Sequence, residues 1–321
     1  MRASDDDANP QQEHGDISAR PIYRVEGGRC GVPRGDFLAV EEPLEIQVGY
    51  TEKARGWRVH KSVSVTMRTP GQDAELAAGF LFTEGIVNDP AQIASVGRLP
   101  AHEERAAKRG DRENVIRVEL RPEVAVDLAR LERHFYTSSS CGVCGKTSIA
   151  ALGLSARARA TATAEDVIFP AEIIHALPAA LRATQAVFDR TGGLHAAALF
   201  DARDGTLLAR REDVGRHNAV DKLIGAQVLA GAEALAALGG RGLFVSGRAS
   251  FELVQKALAA GIPLLAAVGA PSSLAVDLAR TYGATLLGFV RDGRFNIYCG
   301  ETRIGGLRRE TMESAPTPLA A

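Results

Sequence analysis

LFVSGRASFELVQKALAAGIPLLAAVGAPSSLAVDLARTYGATLLGFV, residues 243–290, is the stretch on which the fold turns. Leu243-Phe244-Val245 is a short apolar run followed by turn residues, the mark of a buried strand. Phe251 to Ala260 follows as a helix closed by Gly261. Leu264 to Val268 is a second strand, another helix runs to about Tyr282, and Thr285 to Val290 is a third strand. Strands alternating with helices in this way predict a layered α/β domain with a largely buried sheet. The alternation continues outward. Pro170 to Phe188 carries Ile173, Leu177, Leu181 and Phe188 on one helical face and is stopped by Gly192-Gly193. His195 to Phe200 is a strand, turned at Asp204-Gly205 into Thr206 to Ala209. Asn218 to Leu229 is a helix with Leu223, Ile224 and Val228 inward. At the other end, Arg291-Asp292-Gly293-Arg294 joins the third strand to a strand at Phe295 to Tyr298.

Ahead of this region the pattern is mixed. Leu44 to Val48 alternates as a strand, Val59 to Met67 alternates less cleanly, and Thr69-Pro70-Gly71 is a turn. Asp73 to Glu84 reads as a helix ended by Gly85, and Asn114 to Leu120 as a further strand. The expected organisation is an α/β protein with a disordered tail over 1–20, a small α+β domain over 21–133 and a flexible segment over 134–160. An α/β cofactor-binding domain over 161–310 and a second disordered tail over 311–321 complete it. The charged stretch 101–113 reads as a solvated excursion.

The chain has 321 residues, with 38 Lys and Arg against 39 Asp and Glu, a formal net charge of −1. That balance argues against a general nucleic-acid binder, which carries a basic excess. It leaves room for a local basic pocket. No apolar run approaches the ~18 residues of a membrane span. The opening residues lack the apolar core of a secretory signal. The expectation is a cytoplasmic protein with neither a membrane nor a nucleic-acid partner.

Four cysteines do not make a disulfide scaffold. Cys30 and Cys299 stand alone, whereas Cys141 and Cys144 lie three apart in HFYTSSSCGVCGK, residues 134–146. Three chemistries use such a pair. Structural zinc wants four ligands, and no second pair exists, with His134 the only histidine nearby. A dithiol oxidoreductase opens a helix with its pair to lower the thiol pKa, but glycines flank both cysteines here. A sulfur carrier needs a thiolate on a mobile loop that takes a sulfane sulfur as a persulfide, with a second thiol to assist by exchange. The serines and glycines around the pair suit this last use.

The run Thr137 to Gly145 resembles the signature of the formate dehydrogenase accessory sulfurtransferase family, FdhD. The likeness spans roughly residues 40–306. It includes Met67-Arg68-Thr69-Pro70-Gly71, Thr191-Gly192-Gly193-Leu194-His195, Arg211 through Lys222, Ser246-Gly247-Arg248 and Gly288-Phe289 through Arg294. The resemblance implies a sulfur relay required for formate dehydrogenase activity. A cysteine desulfurase would hand sulfur to Cys141, with Cys144 matching the second thiol. The acceptor would be the molybdenum (or tungsten) bis-guanine-dinucleotide cofactor on its way to apo formate dehydrogenase. Phe289, Val290, Arg291, Asp292, Gly293 and Arg294 match the family's cofactor-binding stretch. A homodimer is also implied. A different reading is a cofactor chaperone whose cysteines guard the metal and carry no sulfur.

The residues independently suit an anionic ligand. Pyrophosphates bind where backbone N–H groups open a helix, and at the carboxyl ends of strands in open α/β sheets. Ser246 and Arg248 lie between a predicted strand and helix, as do Gly269 to Ser273. Arg291 and Arg294 bracket a turn and offer planar forks to phosphate; the plain alternative is a solvated hairpin. His217 stands at the mouth of a predicted helix, and a lone histidine such as His195 is most often structural. The C-terminal half also resembles the cytidine deaminase fold, with His217 near that fold's first metal-ligand position. Ser246-Gly247-Arg248-Ala249 stands where a cysteine pair would follow. The expectation is a retained nucleotide pocket with no zinc.

Overall fold

A computed structural model of the protein describes residues 15–52, 56–99, 114–126 and 167–307. The expectations for residues 1–14, 101–113, 134–160 and 311–321, including Cys141 and Cys144, fall outside the described residues.

The chain first forms an antiparallel ribbon, β1 (Ile17–Glu26) and β2 (Arg29–Ala39). Gly27 and Gly28, both at positive φ, make its two-residue turn. The tail read over 1–20 is corrected here, since the strand begins at Ile17. Both faces of the ribbon are mostly exposed, so it carries no inside-outside alternation to read. A four-stranded sheet follows, ordered β4-β3-β6-β5, from β3 (Glu42–Glu52), β4 (Trp57–Arg68), β5 (Ile93–Arg98) and β6 (Val115–Leu120). Helix α1 (Asp73–Thr83) lays Leu76, Ala77 and Leu81 on Leu44, Ile46, Val48 and Val118 of this sheet.

After β7 (Phe169–Pro170) come α2 (Ala171–Arg182) and α3 (Ala186–Thr191). These replace the single helix read over 170–188. The chain breaks at Ala183-Thr184-Gln185, where the amides of Thr184 and Gln185 bond back only three residues, to Leu181 and Arg182. The central sheet is built from β8 (His195–Asp201), β9 (Leu207–Asp213), β10 (Arg241–Val245), β11 (Leu264–Ala267), β12 (Thr285–Arg291) and β13 (Arg294–Cys299). Its order is β13-β12-β11-β10-β8-β9. The inner neighbours β10, β11 and β12 run parallel, and the flanking pairs are antiparallel. Helices α4 (Arg216–Ala230), α5 (Ala232–Ala236), α6 (Phe251–Ala259) and α7 (Ser273–Thr281) lie between these strands in sequence, and β14 (Ile304–Gly305) pairs with β7.

The inner strands β10, β11 and most of β12 bury both faces, which is why they read as unbroken apolar runs. Leu243, Val245, Leu265 and Leu286 meet α4, α6 and α7 on one side. Phe244, Leu264, Ala266 and Leu287 meet α2 on the other. The result is the layered α/β arrangement expected, in a mixed sheet.

The two halves are joined at α1 and α4. Gly79 and Gly225 sit at the crossing, and a methyl on either would run into main chain: Asp221 O for Gly79, Glu75 O for Gly225. Ala78 and Phe82 of α1 belong to the core of the C-terminal sheet. Gly225→Ala must therefore push the packed backbones apart, at a cost of about 1–3 kcal/mol or more of stability. Gly239→Ala, with open space around it, should stay within about 0.5 kcal/mol. Urea denaturation of the two variants checks the contrast.

Candidate functional site

The three parallel strands end at one edge, and their exit loops are laced together there. Gly269 N donates to Gly247 O at 2.9 Å, Ala249 N to Ala270 O at 3.2 Å, and Phe289 N to Gly269 O at 3.1 Å. Strand β8 runs the opposite way, so its first residue, His195, arrives at the same edge, paired with Asp213. The heads of α4 and α6 are there too. His217 Nε2 lies 3.2 Å from Ser250 Oγ, the cap position of α6, and 3.9 Å from Glu252 Oε2. Both contacts use the same ring nitrogen.

Burial, then the charges of Lys256 and Arg216, pushes the His217 pKa down to about 4. Burial, then Arg216, also lowers that of His195. Both rings are neutral at pH 7.

Arg216, the first residue of α4, was not singled out in the sequence. It is half-buried, and its Nε is enclosed with no hydrogen-bond partner. The helix macrodipole disfavours a cation at that end. The one signal available was its place beside His217 at a helix mouth following a strand. Gly247 lies against Arg216 and His195: a methyl there would stand 3.3 Å from His195 Nδ1 and 4.0 Å from Arg216 Cδ.

The residues named from sequence separate as follows. Ser246 Oγ accepts from Ala196 N at 2.9 Å while Ser246 N donates to Ala196 O, so this serine prolongs the β10–β8 ladder. Arg248 is exposed at the edge. The Val290 side chain is fully buried in the core beneath α2. The strand continues through Arg291, buried from Thr285 to Gly288 and exposed at its last residue. Phe289 is half-buried at φ 54° and lies under the Arg291 guanidinium, 5.7 Å from its centre. Asp292 and Gly293, both at positive φ, form a two-residue hairpin turn that sets Arg291 opposite Arg294, all four exposed. Cys141 and Cys144 are outside the described residues. A separate recess of about 460 Å³, lined by Asp16, Thr69, Gln72, Leu194, Arg210 and Glu212 among others, opens along β9.

The coordinates thus define a layered α/β protein whose polar groups collect at the carboxyl ends of its parallel strands, braced by a smaller α+β layer. Within that class the chain belongs to the FdhD/NarQ family, whose model matches residues 39–305. A protein of Streptomyces avermitilis named sulfur carrier protein FdhD is 47% identical over 285 residues, covering 89% of this chain and 94% of that one. A Mycobacterium tuberculosis protein of the same name is 49% identical over 273 residues, covering 85% and 93%. A solved chain from Desulfotalea psychrophila, described as a "putative formate dehydrogenase accessory protein", shares the fold with a TM-score of 0.64 at 23% identity, over 90% of this chain and 99% of that one.

The buried, neutral His217 ties stability to pH. Its folded pKa of about 4 lies below the ordinary 6.5, so the unfolded chain takes up the proton first as pH falls. The contribution is complete above pH ~6.5 and is lost on the way down to pH ~4, about 3 kcal/mol in all. Denaturation at a series of pH values should show His217→Gln flattening that acid arm by about this amount.

Proposed function

We propose that this protein is a sulfur carrier that passes a persulfide sulfur from a cysteine desulfurase to a molybdenum or tungsten bis-guanine-dinucleotide cofactor serving formate dehydrogenase. The observation that carries the reading is identity of 47–49% over most of the chain with proteins named sulfur carriers. The pair Cys141 and Cys144 supplies the chemistry such a name requires.

The Cys141 thiolate attacks the outer sulfur of the donor's persulfide. That S–S bond breaks, a new one forms on Cys141, and the donor leaves as a thiolate, with no net oxidation. Cys144 then attacks the Cys141 sulfur and releases the outer sulfur as hydrosulfide to the acceptor. A dithiol reductant reopens the resulting disulfide. The cofactor is the substrate of this relay. Its guanine dinucleotides carry pyrophosphates, and the carboxyl edge suits them: Arg248, Arg291 and Arg294 offer cations, Phe289 an aromatic face, and His217 a neutral ring. The unpartnered Arg216 Nε and the close fit at Gly247 support an anionic occupant. We read the deaminase-like C-terminal half as a nucleotide pocket without metal, working in the cytoplasm in a homodimer.

The test is mass spectrometry of the protein after incubation with a cysteine desulfurase and cysteine. Cys141 should gain the mass of one sulfur atom. Cys141→Ala should lose both the adduct and the activation of formate dehydrogenase, whereas Cys144→Ala should reduce transfer. An unmodified Cys141 in a chain that still activates the enzyme would favour the chaperone reading. For the cofactor, Arg294→Ala should weaken GDP binding about 10-fold or more in calorimetry, given ~1.4 kcal/mol per decade, with sulfur loading retained.

A further inference from the structure

The ribbon β1–β2 stands apart from the cores of the protein: of its residues only Ile17 is buried. It also precedes the stretch matched by the family, which begins at residue 39. Its root is fixed. Val40 N donates to Asp16 O at 2.9 Å, and the Arg190 guanidinium of α3 lies over the Phe37 ring, 4.6 Å from its centre. Its outer part is open, with Tyr23 65% and Val25 62% exposed. A two-stranded ribbon alone is at best marginally stable in water, so strands of 10 and 11 residues call for a cover.

Burial does not tell the two faces of the ribbon apart, but the pairing register does. Alternate residues of a strand, and the residues opposite them, share a side. The side of Tyr23 carries Ala19, Pro21 and Val25 of β1, faced by Phe37 and Pro33 of β2, and has no charged residue. The other side sets Arg20 opposite Asp36 and Glu26 opposite Arg29. Each carboxylate there stands across from an arginine, so that side is complete in water. Ile22 and Leu38 also fall on the charged side, which hides the division in the sequence alone.

The cover that fits the uncharged side is a second copy. A residue near a two-fold axis meets its own counterpart, so a charged face would meet like charge there, and this face has none. The chain carries a net charge of only −1, so two copies approach with little repulsion. A ribbon two strands wide and about nine residues long presents roughly 450 Å² on one side, at ~3.3 Å per residue. Two such sides laid face to face bury about twice that area, close to the ~1,000 Å² floor of a specific interface.

We propose that the uncharged side of the ribbon is an interface between two copies of this chain, each ribbon laying that side on the same side of its partner's about a two-fold axis. The inference deepens the homodimer reading above and rests on it. The two ribbons form the layers of a small sandwich ~10 Å apart, with their charged sides in water.

The experiment is sedimentation velocity of the full chain over a concentration series, as wild type, as Tyr23→Glu with Val25→Glu, as Val25→Ser and as Arg24→Glu. Circular dichroism of each reports the fold. The wild type should sediment as a dimer. The double variant puts two carboxylates of each copy into the contact and should weaken dimerisation at least ~100-fold. Val25→Ser should weaken it about 10-fold, and Arg24→Glu, on the charged side, should leave it unchanged. A double variant that folds and dimerises like the wild type overturns the surface and leaves the homodimer reading standing. If the double variant misfolds, unchanged dimerisation of Val25→Ser overturns it instead. Dissociation by Arg24→Glu as strong as that by the double variant overturns the assignment to the uncharged side. A wild type that stays monomeric at every concentration overturns both readings and leaves that side to a different partner.

Discussion

The crossing of α1 on α4 at Gly79 and Gly225 is the contact on which the position of the site depends. Helix α1 is held by the core of the N-terminal sheet, and α4 carries Arg216 and His217 at its head. A crossing this close fixes where α4 lies relative to that sheet. The loop between β4 and α1 then holds its first turn. Asn218 Nδ2 donates to Met67 O at 2.7 Å, Thr69 N donates to Asp213 at 3.2 Å, and Lys222 Nζ donates to Thr69 O at 2.8 Å. The N-terminal half, which holds none of the edge cations, works as the clamp that aims them.

Buried charge sets the register of that clamp. Lys222 and Asp213 are fully buried as a pair at 2.7 Å. Lys256 is bonded to Asp221 and to Thr83 Oγ1, both at 2.9 Å. Such pairs contribute little net stability, because desolvation offsets their attraction, yet a buried charge deprived of partners costs several kcal/mol. Thr69 and Thr83 come from one half and the charges from the other. Sliding α1 by a turn along α4 would deprive both lysines of some of these bonds. Shape at the glycines permits the approach, and the charges penalise the wrong ones.

These facts decide what could be read from sequence. Strands β10, β11 and β12 were legible because burial on both faces leaves runs such as Leu264 to Ala267 with no polar residue. The ribbon β1–β2 was not, because exposure on both faces removes the pattern from which a strand is read. In the polar run Arg211 to Lys222, Asp213, Asn218, Asp221 and Lys222 are buried. Each of the four also has a partner over 130 residues away in the chain, as Asp213 has in Thr69, and local spacing cannot show that. Only Arg216 and His217 of the run face the edge.

The edge keeps its charge on groups that do not titrate. Arginine holds its proton across the physiological range, while burial keeps the His217 ring neutral and lowers the pKa of His195. The local field is thus nearly constant from weakly acidic to weakly alkaline pH. The whole chain carries a net charge of only −1, so it exerts little long-range pull, and what pull exists is screened beyond about 8 Å at physiological salt. On the cofactor reading proposed above, recognition at this edge depends on short-range geometry: planar forks and helix-head amides. A compact, multiply charged group such as the proposed cofactor's pyrophosphate would meet several of these donors at once. A single carboxylate reaches fewer of them, and a long polyanion would lie along a basic surface that this nearly neutral chain does not provide.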